Sequence, residues 1–151
     1  MPELAGIHHV KLPVTDLDRS RDWYGRVLGF KVTHEFPDAQ DGVVRGVAGE
    51  VPGLGDSMLC LRVNSQAAQG CQGFDPVSFA VPDRADIDAW AAHLDALGIP
   101  HSPVIEASIG RLLVFNGIPG TAARCPERAR GFLGGSRRFL NGSAVHALTG
   151  I

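Results

Sequence analysis

The chain has 151 residues, 44% of them hydrophobic and 20% charged, with a formal net charge of −2. That length suits one folding unit or two small halves sharing a core. No run approaches the roughly 18 apolar residues of a membrane span, and the near-neutral charge argues against nucleic acid or an anionic membrane as partner. Cys60, Cys71 and Cys125 are odd in number and lack Cys-x-x-Cys spacing, which excludes a disulfide framework or a zinc knuckle. The opening Met-Pro-Glu-Leu-Ala-Gly has neither the basic nor the apolar stretch of a secretory leader, so a cytoplasmic, soluble protein is expected.

Gly6 to Val14 alternates as a strand, with His8, Val10, Leu12 and Val14 on one face and His9, Lys11 and Pro13 on the other. A helix follows: Trp23 and Val27, and Tyr24 and Leu28, are four apart, Thr15 with Asp18 has the form of a capping box, and Gly29 suits the left-handed C-terminal position. Phe30 to Phe36 reads as a second strand, Pro37 to Gly42 as a hairpin loop, and Val43 to Val47 as a third strand. Pro52 to Asp56 is turn-rich, and Ser57 to Val63 is a fourth strand, with Leu59, Leu61 and Val63 on one face and Met58, Cys60 and Arg62 on the other. Residues 65–73 are the expected linker.

The pattern then repeats. Val77 to Val81 matches Val10 to Val14 at an offset of about 67 positions, and the same offset carries Asp16 to Asp83 and Trp23 to Trp90. Ile87, Trp90, Ala91 and Leu94 form a second helical stripe closed by Gly98 and Pro100, with further strands expected over His101 to Ile105 and Arg111 to Phe115. These readings predict an α+β fold of two tandem βαβββ modules whose sheets curl around a cleft. The first spans residues 1–64 and the second 74–125, with a divergent tail over 126–151. The apolar strand faces should pack on the helices, which turns His9, Lys11, Met58, Cys60, Arg62 and Ser78 toward the cleft. Lys11 and Arg62 there favour an anionic or carboxylate-bearing small molecule, with Met58 and Ser78 as further substrate-binding candidates. No catalytic residue is assigned.

The run His-His-x-x-Leu-x-Val, then Asp-Leu-x-Arg-Ser, Trp-Tyr and Val-Leu-Gly-Phe, resembles the start of the vicinal oxygen chelate superfamily. That group takes in glyoxalases, bleomycin-resistance proteins, fosfomycin-modifying transferases and extradiol dioxygenases, and the resemblance covers roughly residues 6–115. It implies a homodimer and, in metal-using members, a divalent ion (Zn, Fe, Mn, Ni or Mg) that chelates adjacent substrate oxygens. His9 matches the first-strand ligand, and Cys60 falls where glyoxalase-like members have Glu. Pro76 stands at the usual second-module His, and no Glu occurs near Ala122 to Arg124, where the fourth ligand is expected. Metal is therefore expected to be weakly bound or absent. Three functions follow: a protein that sequesters a small molecule, a metal-dependent lyase, transferase or dioxygenase, and a non-catalytic relative.

His8 shares a strand face with Val10 and is expected to turn toward the helix; His34, His93, His101 and His146 have no partner at metal-ligand spacing. From Asn116 onward arginine and glycine dominate, and the Asp-Pro-x-Gly turn that the resemblance implies is missing. Codons for Asn-Gly-Ile-Pro-Gly-Thr-Ala can encode Arg-Asp-Pro-Gly-Asn-Gly in a shifted frame, so a frameshift near residue 116 is one expectation. A truncated or distorted last strand in the second module is the structural consequence.

Overall fold

The computed structural model describes residues 1–107, 110–118 and 145–150. The chain divides into two compact units, Met1–Ala68 and Gln69–Ile151. The first holds β1 (His9–Val14), α1 (Leu17–Leu28), β2 (Lys31–Pro37), β3 (Val44–Glu50) and β4 (Met58–Val63). A short helix, α2 (Ser65–Gly70), spans the boundary where a linker is expected. The second holds β5 (Ser78–Val81), α3 (Arg84–Ala96), β6 (Ile105–Ala107), β7 (Gly110–Asn116) and β8 (Val145–Gly150). Each is a βαβββ module, and the two four-stranded sheets have the same order: β1-β4-β3-β2 and β5-β8-β7-β6. In both, the first strand runs parallel to the fourth and the remaining pairs are antiparallel. The α+β fold expected from the repeat is the fold of the chain.

An isolated helix of twelve residues is marginal in water, so α1 is held by what it buries. Leu17, Trp23, Tyr24, Val27 and Leu28 are buried, as are Leu12, Val14, Leu59, Leu61 and Val47 on the strands. Each such side chain contributes roughly 1.5–3 kcal/mol. The N-cap is Asp16, one residue later than the Thr15 expected: its carboxylate accepts the Arg19 N–H at 3.0 Å and sets a negative charge against the helix dipole, which a threonine would not. Gly29 closes the helix in the left-handed conformation, as its position suggests.

In the second unit Ile87 and Leu94 of α3 are fully buried, with Phe79, Val81, Leu113, Phe115 and Leu148 across the sheet. Asp83 caps α3 by accepting from Ala85 and Asp86 N–H, and the Asp86 carboxylate returns the bond. Asp16 and Asp83 stand at the 67-residue offset, so the repeat extends to the caps. Trp90 is half-buried and meets His93 edge-on, whereas Trp23 is a core residue.

The expectation of an incomplete second sheet is corrected. β8 pairs with β5 and β7, and its Leu148 is buried. The strand comes from the stretch expected to be a tail, where only one large apolar residue, Leu148, marks the helix-facing side. The strand and ligand positions sought at residues 121–125 lie outside the described residues. His101 makes an isolated bridge to Phe115, and the strand expected to start there begins at Ile105.

Candidate functional site

The register of the first sheet decides which side chains meet. His9 pairs with Met58, Lys11 with Cys60, and Pro13 with Arg62, and cross-strand partners share a face. That face is opposite the one carrying Leu12, Leu59 and Leu61 under α1. His9, Lys11, Met58, Cys60 and Arg62 thus lie together on the open face of one sheet. Ser78 belongs to the second unit, where it pairs with Ala147 as Lys11 pairs with Cys60.

Lys11 and Arg62 are exposed, and neither has an ion-pair or hydrogen-bond partner among the described residues. Among the described residues five other arginines are ion-paired, Arg84 to Glu106 among them. Arg45 holds Asp41 and Asp38, Arg21 holds Glu35, Arg26 holds Asp22, and Arg111 holds Asp88 and Glu106. Two free cations, on adjacent strands and one rung apart, make an anion-attracting surface. Between them Cys60 is buried; desolvation pushes its thiol above the ordinary value, while the Lys11 ammonium pulls the other way. Such a thiol is protonated near neutral pH and is no nucleophile.

Two further residues join this face that the sequence did not reveal. A β-bulge between Val32 and His34 shifts the β2 register, so that His34 pairs with Ala48 and Phe36 with Gly46. One rung therefore reads Lys11, Cys60, Ala48, His34, and the next Pro13, Arg62, Gly46, Phe36. Glu35 is left on the helix side, where it reaches Arg21 of α1 at 3.2 Å. Gly49 permits the bulge: a Cβ there would lie 2.0 Å from the Lys31 carbonyl oxygen and 2.8 Å from the Phe30 ring. No other residue fits.

His8 does not turn under the helix. It precedes β1, is exposed, and its Nδ1 lies 2.9 Å from Nδ1 of His9, the rings edge-to-face with centroids 5.2 Å apart. One ring therefore donates to the other, leaving only Nε2 of His9 for a ligand.

The donor set that the resemblance implies for a metal is not assembled. His9 and Cys60 sit on different rungs, and Cys60 is buried beside an ammonium. In the second unit Pro76, at the place of His9, has no donor, and Ala147 rather than any of residues 122–124 takes the register of Cys60. Among the described residues no three His, Cys, Asp or Glu side chains are grouped to hold an ion. The described residues do not supply a four-ligand centre.

The pattern of the Glyoxalase/Bleomycin resistance protein/Dioxygenase superfamily matches residues 6–109. The chain belongs to this superfamily. No curated protein matches it. Among solved structures it is similar to a glyoxylase/bleomycin resistance protein/dioxygenase domain from Frankia sp. EAN1pec, at 20% identity, TM-score 0.65, over 99% of this chain and 100% of that one. It is similar to TnmS3, an antibiotic binding protein from Streptomyces sp. CB03234, at 18% identity, TM-score 0.66, over 99% and 98% of the two chains. It also matches a mutant of the fosfomycin resistance protein FosX from Listeria monocytogenes, complexed with Mn(II) and 1S,2S-dihydroxypropylphosphonic acid. There the identity is 13% and the TM-score 0.64, over 97% of this chain and 93% of that one. At these identities the superfamily members share the fold. No helix among the described residues is long and apolar enough to cross a membrane.

Proposed function

We propose that this superfamily member binds a small anionic molecule on the open face of its first sheet and sequesters it without a metal centre. The observation that carries the reading is the pair of free cations, Lys11 and Arg62, on one sheet face, whereas Arg21, Arg26, Arg45, Arg84 and Arg111 are each paired with a carboxylate. The guanidinium can take a carboxylate or phosphonate through two parallel N–H donors, and the ammonium adds a point charge. The solved relatives that are an antibiotic binding protein and a phosphonate-bound resistance protein are in keeping with a small, charged guest. A metal-dependent lyase, transferase or dioxygenase would need donors where Pro76 and Ala147 stand, and those residues supply none.

The test is calorimetric titration with butyrate, methylphosphonate and uncharged butyramide. The two anions should bind and butyramide should not, and a Lys11→Ala/Arg62→Ala double variant should lose anion binding. Equal affinity for butyrate and butyramide, or an unaffected double variant, would overturn the proposal.

A further inference from the structure

The anion-binding reading leaves open what kind of anion the face prefers, and the rung beside Lys11 bears on that. Arg62 does not stand upright on the sheet. A Cβ built on Gly46 would lie 3.0 Å from Cδ of Arg62 and 3.3 Å from Nη1, so the side chain crosses β3 over the glycine and extends toward β2. The residue that pairs with Gly46 on β2 is Phe36, and it is 48% exposed. Its ring, a large apolar side chain on an edge strand, has no core reason to lie there.

Asp38, in the turn after β2, is close enough for Arg62 to help hold its carboxyl below the ordinary range. The Asp38 carboxylate, however, is engaged by Arg45 at 3.2 Å and by the Gln40 N–H at 3.0 Å. It attracts the guanidinium toward β2 without occupying its donors. The result is a flat cationic fork lying on a side-chain-free strip of sheet, next to an exposed aromatic ring.

Resting on the anion-binding reading, we infer that the Arg62–Gly46–Phe36 rung selects a planar aromatic carboxylate. The fork, which itself covers Gly46, would take the carboxylate edge-on, and the aromatic body would extend from it toward Phe36. A saturated ring of equal charge and similar size offers no π-face to Phe36 or to the guanidinium. Gly46 is the specificity-determining position: a branched side chain there would displace the fork from its place over β3.

The experiment titrates the full chain with benzoate, cyclohexanecarboxylate and benzamide. Benzoate should bind roughly fivefold more tightly than cyclohexanecarboxylate, the range expected for one aromatic contact. Phe36→Ala should erase that preference by weakening benzoate more than cyclohexanecarboxylate. Gly46→Val should weaken both carboxylates, on the order of tenfold for loss of a charge-assisted bond. Its far-UV circular dichroism reports whether the strand survives, and Phe36→Ala tests the inference independently. Equal binding of the two carboxylates by the native chain, both lost in the Lys11→Ala/Arg62→Ala variant, would overturn the planar preference and leave the anion site standing. No binding of either carboxylate above benzamide would overturn both.

Discussion

The two units share one backbone plan and differ in where their charges go. In the first, the β1–β4 pair carries His9, Lys11, Met58, Cys60 and Arg62 on its open face; the matching β5–β8 positions are Pro76, Ser78, Val145, Ala147 and Thr149. In the second, the conspicuous cation is Arg111, which reaches back to α3 through Asp88 at 2.9 Å and the Arg84 carbonyl at 2.7 Å. It ties the helix to the sheet. Because solvent screens it, such a pair adds little to stability. A duplicated scaffold needs its cores in both copies, since each sheet must cover an apolar face, but it needs binding chemistry in only one. The first unit leaves Lys11 and Arg62 of this face without an ion pair among the described residues, and the second spends Arg111 on structure.

The largest expected effect is in the cores, where the units should behave alike. Leu61→Ala in the first and Phe115→Ala in the second should each cost about 3–5 kcal/mol, because both side chains are almost wholly buried. The chain has two tryptophans, Trp23 in the first unit and Trp90 in the second, so fluorescence of single-tryptophan variants under denaturant reads each separately. A cost under about 1 kcal/mol at Phe115 would show that β7 does not carry the second core.

The site should break the symmetry. Lys11→Ala should weaken butyrate binding roughly tenfold, as for loss of one charged partner. Ser78→Ala, at the equivalent register, should change it less than about twofold, a neutral hydroxyl contributing little beside a cation. Calorimetry on both variants decides; equal losses would mean that the two open faces share the ligand.

The fold was legible because its signals are local. Alternation in residues 9–14 and 58–63, the four-apart apolar pairs of α1 and the glycine after it act within a few residues of themselves, and the 67-residue offset repeats them in the second half; the cap of α1 reads one residue early, at Thr15. The same alternation put Lys11 and Arg62 on one side. His34 and Phe36 were hidden because their facing depends on the bulge, which Gly49 permits from another strand. In unbroken alternation the face would go to Thr33 and Glu35. His8 was misread for a related reason: alternation was extended one residue before the strand begins. β8 was missed because Val-His-Ala-Leu-Thr-Gly has a single large apolar residue, and nothing nearby in sequence points to β5.

The caps give a smaller effect and a finer comparison. Asp16→Ala and Asp83→Ala should each cost about 1 kcal/mol. The Asp83 variant should cost the more, since that carboxylate accepts two backbone N–H bonds and its own N–H is answered by Asp86, while Asp16 accepts one from Arg19. Denaturant midpoints measured unit by unit check the order. A larger loss at Asp16 would mean that the reciprocal bond of the capping box contributes nothing here.

The smallest expected effect is an acid limb that belongs to the first unit. Asp41 accepts from both Nη atoms of Arg45, at 2.8 and 2.6 Å, and from the Val43 N–H at 3.0 Å. The bond from Arg45 is the main reason its carboxyl falls from an ordinary 3.8 to about 2. A carboxyl depressed by folding stabilises the folded state in full above its unfolded value, and the contribution is lost as pH falls through the folded value. The window is therefore about pH 4 down to about pH 2, with the stabilisation present at the upper end. Because the pair is exposed, solvent screens it and the effect is small; salt should shrink it further. Asp41→Asn should flatten the fall in Trp23-monitored stability across that window and leave the Trp90-monitored curve untouched, since Asp88 and Arg111 are intact there. If both curves flatten together, the two units do not unfold as separate bodies, and the asymmetry between them is one of surface chemistry alone.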